Sequence, residues 1–397
     1  KDRKINALKD KVIFNILRHT NLVLKYFVYR IFFLPLIIFQ KDKKYFCKTT
    51  YFTRYPSHFL KDTFLEEKYA KLVKKNDKFI TNLNTDGLHQ TLNISSSLLN
   101  RIKLIKGNRL QHIVVDDYVT FNNLFNSLKD IWRWFFSFKK LGDEIYIYKK
   151  IDISLSIKKE YNLSFQRILG LLICYRALDN LLKKIDSEKF IFNLHEFAFG
   201  RMITYTLYRN KKLNIFGMQH GMPSKRKLCF NLSSREIPAN NKNYLKKVPI
   251  PKKIIVEDYK SKILYENFGY KNILVLEEVP RLYYLSKVKI KAKRDKILII
   301  PGLHDFIMIY NKLSEIIKNN PNEIYYIKPH PRSKMKLTKF KFPHNVEITN
   351  RSLYDLLGET KLVYVSYSSV GYEAKSLNIP VQEIRCQGII NESGLND

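Results

Sequence analysis

Short runs of β-branched and aromatic residues alternate along the chain with stretches of helical periodicity. The runs predict strands at 78–81, 112–115, 190–194, 214–218, 253–256, 272–276, 296–300, 323–327, 346–348, 362–366 and 381–384. Apolar residues spaced three and four positions apart predict helices, and the clearest are 164–185 and 305–319. Strands that alternate with helices are typical of parallel sheets covered by helices, so the pattern predicts an α/β fold.

The length of 397 residues is enough for two α/β domains, each with its own core. Prolines among Asn and Lys residues in 238–253 indicate a connector. We therefore place an N-terminal segment at 1–45, a first domain at 46–250 and a second domain at 251–397. The chain begins with Lys1 rather than Met and ends shortly after a predicted strand. We expect a piece of a longer protein whose second domain is truncated.

An apolar stretch at 22–39 approaches the length of a membrane span. Lys25, Arg30 and Pro35 interrupt it, and no small-residue cleavage site follows, so a signal peptide fits poorly. Three interpretations stay open. The stretch is an interfacial helix whose Lys and Arg reach the headgroups, a buried helix of the first domain, or a helix that spans the bilayer.

The composition is strongly basic, with a formal net charge of +35. Such an excess favours anionic partners, which are nucleic acid, a membrane surface or phosphorylated substrates. The lysines are spread along the whole chain, so we interpret most of them as solvated surface. No helix-turn-helix, RNA-recognition or zinc-finger signature accompanies the charge, and we expect no nucleic-acid partner.

The four cysteines, Cys47, Cys174, Cys229 and Cys386, lie far apart and form no Cys-x-x-Cys motif. This spacing argues against a zinc site, a thioredoxin-like motif and a dense disulfide scaffold. It fits a protein of the reducing cytoplasm.

Two predicted strands of the second half end in groups suited to a ligand. Strand 296–300 is followed by Gly302, which lets the backbone approach a ligand. Strand 323–327 runs into a turn that two prolines stiffen. The residues of this turn that we assign to donor binding are Lys328, His330, Pro331 and Arg332. In open α/β sheets ligands bind at the carboxyl ends of strands, and these cationic donors suit a phosphate or diphosphate.

A third strand, 362–366, is followed by two serines at a predicted helix start. Ser368 and Ser369 can cap this helix or donate to an anion beside its free N–H groups. Glu373 lies one turn further along, where it can accept hydrogen bonds from ribose hydroxyls. We assign all three residues to donor binding.

These motifs carry a family resemblance. The pattern Ser-Ser-Val-Gly-x-Glu-Ala-x-x-x-x-Ile-Pro-Val resembles the nucleotide-sugar site of GT-B glycosyltransferases. Together with Lys-Pro-His-Pro it is similar to bacterial sialyl-, polysialyl- and Kdo-transferases. The resemblance covers roughly 185–385 and implies two Rossmann-like domains whose parallel sheets face a central cleft. It also implies that His330 and Ser368 or Ser369 hold a CMP phosphate, with Glu373 on the ribose side.

Polar residues also follow two predicted strands of the first half. We assign His195, Gln219 and Gly221 to the acceptor side, and we treat Glu196 and His220 as catalytic candidates. An inverting transferase needs a general base for the acceptor hydroxyl, and Glu196 and His220 are candidates. This half resembles surface-carbohydrate (capsule and O-antigen) biosynthesis proteins, which share a Glu at a helix start and a Gln-His-Gly turn. Sialyltransferases instead have an acidic pair followed by glycine. The acidic pair here precedes Tyr118, and its Asp117 is a third candidate.

The resemblance thus implies a GT-B-like glycosyltransferase that needs no metal and no cofactor, because in such enzymes a helix start and basic side chains stabilise the leaving phosphate. The donor is a nucleotide sugar, with a CMP-activated nonulosonic acid as one possibility, and the acceptor is a glycan or a lipid-linked glycan. Alternatives are a CDP-linked polyol-phosphate transferase, a nucleotide-sugar epimerase of the same fold and a basic nucleic-acid-binding protein. We expect a cytoplasmic location, with peripheral contact to the inner, anionic face of the membrane.

Overall fold

The structure is a computed structural model. It describes residues 2–40, 42–55, 69, 72–83, 94–107, 112–141, 144–148, 150–193, 195–212, 214–227, 229–232, 235–237, 247–276, 285–302, 305–330, 340–386 and 395. For 2–14, 94–96, 137–141 and 148 only the backbone is described. The chain divides into two compact units. Unit 1 is Lys1–Met218 with Pro238–Lys253, and unit 2 is Gln219–Ile237 with Ile254–Asp397.

Unit 1 is built from alternating helices and strands. Its helices are α1 (Asp2–Phe32), α2 (Leu34–Gln40), α3 (Ile94–Gly107), α4 (Phe121–Leu141), α5 (Ser154–Leu182) and α6 (Ala198–Arg209). Its strands are β1 (Tyr45–Arg54), β2 (Lys78–Asn82), β3 (His112–Val114), β4 (Ile147–Tyr148), β5 (Ile151–Asp152), β6 (Ile185–Asn193) and β7 (Ile215–Met218). A 3₁₀ turn, Val115–Tyr118, follows β3.

The remaining elements follow the same alternation. The helices are α7 (Tyr259–Asn267), α8 (Phe306–Asn319), α9 (Leu353–Glu359) and α10 (Val370–Ser376). The strands are β8 (Lys253–Val256), β9 (Ile273–Val275), β10 (Lys296–Ile300), β11 (Ile324–Ile327), β12 (Val346–Ile348), β13 (Thr360–Val365) and β14 (Val381–Glu383).

Two parallel sheets organise these elements. The larger has seven strands in the order β3-β2-β1-β6-β7-β8-β9, of which the first five in this order belong to unit 1. The smaller lies in unit 2 and has five strands in the order β12-β11-β10-β13-β14. Strands β4 and β5 form a separate antiparallel hairpin. The predicted α/β class with two parallel sheets is therefore confirmed.

Each unit has its own apolar core. In unit 1 the helix α5 packs against the sheet through Leu169, Ile173 and Leu181, which are fully buried. In unit 2, buried residues of β10 serve both faces of the sheet, because alternate side chains of a strand point to opposite sides. Ile297 and Ile299 pack with α8, whereas Leu298 and Ile300 pack with α9 and α10.

Every predicted strand has a counterpart, and the two predicted helices correspond to α5 and α8. The longest strand missing from the predictions is β1, which pairs with both β2 and β6 near the centre of the larger sheet. Its sequence, Tyr-Phe-Cys-Lys-Thr-Thr-Tyr-Phe-Thr-Arg, mixes polar and aromatic residues without a clear period. Its later half is nonetheless buried, because the pairing on both sides decides its burial.

The apolar stretch 22–39 falls within α1 and α2. Leu22, Tyr26 and Tyr29 are buried in unit 1, as the buried-helix interpretation requires. Leu24 and Phe27 on the same helix are exposed. Within the described residues no single helix is long and apolar enough to cross a membrane. One pair, Asn15–Phe32 with Leu34–Gln40, bent by 75°, meets the same length and composition test.

Candidate functional site

The carboxyl ends of three adjacent strands gather the predicted donor residues in unit 2. Strand β10 lies between β11 and β13, and Ile299 of β10 is paired with Ile327 and with Tyr364. All three strands are parallel, so their carboxyl ends share one edge of the sheet. The residues that follow them are therefore neighbours: Gly302 after β10, Lys328 and His330 after β11, and Ser368 and Ser369 after β13. We call this edge the donor edge.

Lys328 is held in place at the donor edge. Its backbone N–H donates to Ile299 O over 3.0 Å, which extends the pairing of β11 with β10. Its Nζ donates to Arg351 O over 2.6 Å. Burial lowers the pKa of the Lys328 ammonium group. His330 lies two residues further along and is half-buried. Pro331 and Arg332, the rest of the predicted turn, lie outside the described residues.

Gly302 has a specific neighbour at the donor edge. A Cβ atom placed there would lie 2.2 Å from Cζ of Tyr367 and 2.6 Å from its hydroxyl oxygen. The aromatic ring therefore packs directly on the glycine backbone, and any larger residue would displace the ring. The predicted reason for this glycine was close approach of a ligand; the group that approaches it in the structure is Tyr367.

The serine pair and Glu373 lie at the start of α10. Ser368 Oγ accepts a hydrogen bond from the backbone N–H of Val370 over 3.3 Å, so it caps the helix start. Ser369 is exposed, and its side chain makes no capping bond. Glu373 is buried in the first turn of α10. One serine therefore has a structural contact, while the other presents its hydroxyl to solvent.

Two buried polar groups near the donor edge escaped the sequence-based assignment. Asp305 precedes α8 with 0% exposure, and Ser366 follows β13 with 3% exposure. Both Asp305 carboxylate oxygens and Ser366 Oγ find no hydrogen-bond partner among the described residues. A buried polar group in this state costs roughly 1–3 kcal/mol. The sequence marked Asp305 only as a helix start, and no signal distinguished Ser366.

His195 and Glu196 follow β6 in unit 1. Both are buried, and His195 Nε2 lies 3.8 Å from Glu196 Oε2. Burial, and after it the charge of Arg201, lowers the pKa of His195 to about 3. The imidazole is therefore neutral at neutral pH. A Cβ atom on Gly217 would lie 2.8 Å from His195 Cβ, so the glycine in β7 makes room for this histidine.

The segment Gln219-His220-Gly221 belongs to unit 2. The Gln219 backbone N–H donates to Ile255 O over 2.8 Å, and its side-chain Oε1 accepts from the Glu257 N–H over 3.0 Å. Gln219 thus fixes the loop after β7 to the carboxyl end of β8. His220 and Gly221 are half-buried. A side chain at Gly221 would meet open space, so packing does not explain this glycine.

Asp117, the third candidate base, lies in a buried polar cluster of unit 1. Its Oδ2 accepts from Arg101 Nη2 over 2.7 Å, and its Oδ1 accepts from the Tyr29 hydroxyl over 2.5 Å. Burial raises the pKa of Asp117, although Arg101 and the Tyr29 hydrogen bond oppose that change. Both oxygens are engaged, and the side chain is 1% exposed. This geometry favours a structural role over a general-base role.

Metal and thiol chemistry find little support in the described part of the chain. No group of three or more His, Cys, Asp or Glu residues there could hold a metal ion. The four cysteines are all described, and all are free thiols. Burial raises the pKa of Cys174 to about 12, which keeps this thiol protonated.

Comparisons with known proteins find solved structures of similar fold, but only at low sequence identity. No protein-family model matches the chain, and no curated protein matches it. Solved structures similar to this chain include a UDP-GlcNAc 2-epimerase from Neisseria meningitidis bound to UDP-GlcNAc, at 12% identity and a TM-score of 0.44, covering 84% of this chain and 81% of the epimerase. The calicheamicin glycosyltransferase CalG4 is 11% identical, with a TM-score of 0.45 and coverages of 84% and 79%. The wall teichoic acid polymerase TagF is 14% identical, with a TM-score of 0.39 and coverages of 92% and 78%.

Proposed function

We propose that this chain is a glycosyltransferase that binds the phosphate of a nucleotide-activated sugar at the donor edge of unit 2. The observation that carries the proposal is that Lys328 and His330 after β11, and Ser369 after β13, lie at the same edge of one parallel sheet, with β10 between the two strands. Ligands of open α/β sheets bind at such an edge. Ammonium, imidazole and hydroxyl groups are the donors that a phosphate accepts from.

The buried, unpartnered groups next to this edge support the same proposal. Asp305 can accept hydrogen bonds from ribose hydroxyls or from a base amino group, and Ser366 can donate to or accept from the same ligand. Because an unpartnered buried group destabilises the protein, such a ligand would gain affinity by supplying the missing partners. Small movements of the surrounding loops would be needed to admit it.

The proposed reaction is the displacement of a nucleotide phosphate by an acceptor hydroxyl. A general base takes the hydroxyl proton, and the oxygen forms a bond to the anomeric carbon of the sugar. The bond between this carbon and the phosphate oxygen breaks, and its electron pair leaves with the phosphate. Cationic and hydroxyl donors at the donor edge would stabilise the charge that develops there, so no metal ion has to be invoked.

A CMP-linked donor, such as a CMP-activated nonulosonic acid, is the finer form of the proposal. It rests on the Lys-Pro-His-Pro and Ser-Ser motifs, which resemble those of CMP-sugar transferases. The acceptor would be a cell-surface glycan or a lipid-linked glycan, and the reaction would take place in the cytoplasm. CDP-linked polyol-phosphate transfer and sugar epimerisation also begin from a nucleotide-linked substrate. Nucleotide binding alone therefore does not separate these reactions from sugar transfer, whereas the identity of the product does.

The first test is nucleotide binding, measured as the rise in melting temperature with CMP, CDP, UDP and GDP. A ligand at about one hundred times its Kd stabilises the folded state by about 2.7 kcal/mol. We expect CMP to raise the melting temperature most. His330→Ala should weaken binding roughly 10- to 100-fold, because a hydrogen bond to a charged group contributes about 1.5–3 kcal/mol.

The matched control is His344→Ala. His344 is an exposed histidine of the same unit and precedes β12, so it lies at the amino end of a strand rather than at the donor edge. This variant should bind CMP as the native chain does. Equal binding by both variants would contradict the assignment of His330, and a failure of all four nucleotides to bind would contradict the proposed function.

The second test concerns the base, and Glu196→Gln is the decisive variant. Loss of a general base lowers kcat by roughly 10²- to 10⁴-fold, while CMP binding in unit 2 should stay unchanged. Glu188→Gln changes an exposed glutamate on the same strand, β6, and should keep full turnover. If Glu196→Gln retains native kcat, His220→Ala becomes the next variant.

Mass spectrometry of the product separates a transferred sugar from glycerol phosphate, and product formed without acceptor indicates an epimerase.

A further inference from the structure

One face of α1, and the short helix α2 that follows it, carry exposed apolar side chains instead of polar ones. These residues, 45–63% exposed, are Leu17, Leu24, Phe27, Ile31, Leu34 and Ile38. On α1 they recur at intervals that keep them on one side of the helix. The opposite side carries the buried Leu22, Tyr26 and Tyr29. The helix is therefore apolar on both sides, and only one side is covered by unit 1.

Helix α4 contributes a second exposed stripe of different composition. Its aromatic residues, 50–68% exposed, are Phe121, Phe125, Trp132 and Phe136. Lys129 and Arg133 are exposed beside this stripe. Lys129 is four residues after Phe125, and Arg133 is four residues after Lys129 and three before Phe136, so these side chains are neighbours on the helix surface. An apolar, aromatic stripe flanked by basic side chains is typical of helices that lie in a membrane interface.

The two stripes meet. The rings of Phe27 on α1 and Phe121 on α4 lie 5.6 Å apart between centroids. The Arg30 guanidinium lies 5.1 Å from the centroid of the Phe121 ring and donates to Val119 O. An apolar cavity of about 110 Å³ also lies between the helices, and its lining includes the exposed Ile16 and Trp132. We call this combined surface, the exposed stripes of α1, α2 and α4, the α1–α4 face.

The charged side chains on and beside the α1–α4 face are mostly basic, although the exposed Asp42 precedes Lys43. Residues 15–40 contain no Asp or Glu. On α4 the described side chains include one carboxylate, Asp130, and it is paired with Arg176 over 2.7 Å and lies 3.8 Å from Arg133. Lys43 and Lys44, just after α2, are exposed as well. The face thus combines aromatic and aliphatic groups with a net positive charge.

We propose that the α1–α4 face docks on an anionic lipid bilayer. Aromatic and aliphatic side chains enter the boundary between headgroups and acyl chains, and Lys129 and Arg133 pair with anionic headgroups. A second copy of the chain fits this face less well. A symmetric dimer brings the same patch of both copies together, and here it would place the basic side chains of both copies in one interface.

The test is flotation of the full chain with vesicles. We compare neutral phosphatidylcholine vesicles with vesicles that contain about 30 mol% phosphatidylglycerol, at low ionic strength. The native chain should bind the anionic vesicles strongly and the neutral ones weakly. Lys129→Gln with Arg133→Gln should lower the partition coefficient roughly thirtyfold, because each basic side chain near the surface contributes about fivefold. Phe125→Ala with Trp132→Ala should lower it at least about tenfold.

Matched controls come from unit 2. Tyr259→Ala with Ile263→Ala removes an exposed aromatic and an exposed aliphatic residue four positions apart on α7. Lys271→Gln with Lys318→Gln removes two exposed positive charges. Both control variants should bind the anionic vesicles within about twofold of the native chain. All variants replace exposed residues, and unchanged circular dichroism and melting temperature confirm that each has folded.

Four outcomes would overturn the proposal. They are equal binding to neutral and anionic vesicles, no binding by the native chain, native-like binding by both face variants, and the same loss in the control variants. Self-association that Phe125→Ala with Trp132→Ala abolishes, without vesicle binding, would assign the face to a second copy. Retention on vesicles after washing with about 1 M salt and then carbonate would indicate a spanning segment instead of a docked face.

Discussion

Two glycines, one in a strand and one just after a strand, lie directly against the rings of neighbouring side chains. Gly302 lies under the ring of Tyr367, and Gly217 lies under His195. In each case the neighbour comes from a different strand–helix unit of the chain. The motif around Gly302 was visible in the sequence, whereas its neighbour was not, because the pairing of β10 with β13 determines which ring reaches it.

His195 gives a pH prediction at the residue scale. Its folded-state pKa is about 3, against 6.5 for an unperturbed histidine. Between these values the unfolded chain binds a proton that the folded chain does not, so stability falls as pH drops from about 6.5 towards 3. From pH 7.5 to about pH 4.5 the loss from this residue is about 3 kcal/mol.

The measurement is the melting temperature at these two pH values. His195→Gln should remove part of the acid sensitivity, and its melting temperature should fall by roughly 5–10 °C less than that of the native chain. His344→Gln, which changes an exposed histidine, should behave like the native chain. Identical pH dependence of His195→Gln and the native chain would show that His195 is not buried as a neutral group. The same pKa excludes His195 as the source of an activity limb near neutral pH.

At the scale of elements, a buried polar cluster ties helices of unit 1 to the strand end of β3. Arg101 comes from α3, Tyr29 from α1 and Asp117 from the 3₁₀ turn after β3. Leu83, just after β2, adds a backbone N–H that donates to Asp116 Oδ2 over 2.9 Å. The cluster therefore fixes α1 and α3 at this edge of the sheet. Because α1 carries part of the α1–α4 face, the cluster also positions that part of the face.

Arg101→Met tests this cluster. It leaves the buried Asp117 carboxylate without its cation, and breaking a buried pair in this way costs about 3–5 kcal/mol. The free energy of unfolding, from chemical denaturation of unit 1, is the measurement. Arg101→Met combined with Asp117→Asn should recover part of the loss, since no buried charge remains. The control Arg133→Met removes an exposed partner of Asp130 and should change stability by about 0.5 kcal/mol or less. A similarly small effect of Arg101→Met would contradict the structural role of the cluster.

At the scale of the whole molecule, the structure shows where some of the basic residues behind the net charge of +35 lie. The sequence shows lysines everywhere and indicates only that partners are anionic. The structure separates two settings within the described residues. Lys328 and His330 lie at the donor edge of unit 2, whereas Lys129 and Arg133 interleave with exposed aromatic residues in unit 1. The first setting suits a phosphate, and the second suits a surface of anionic headgroups.

The α/β class, the parallel sheets and the positions of most strands could be predicted from the order of amino acids alone. This was possible because the short apolar runs are continuous enough to mark buried parallel strands, as in Lys296–Ile300. The same order also located the polar residues after β10, β11 and β13, since a sharp change from apolar to polar residues marks a strand end.

The partners of these residues could not be predicted in this way, because they depend on how distant segments pack together. The mixed sequence of β1 becomes a central strand because β2 and β6 pair with it. Asp117 is engaged by Arg101 and Tyr29, which are distant in sequence, and Asp305 is buried without a partner among the described residues. Local periodicity records the preference of each segment for helix or strand. Burial and hydrogen bonding depend on contacts between distant segments, and these exist only in the folded chain.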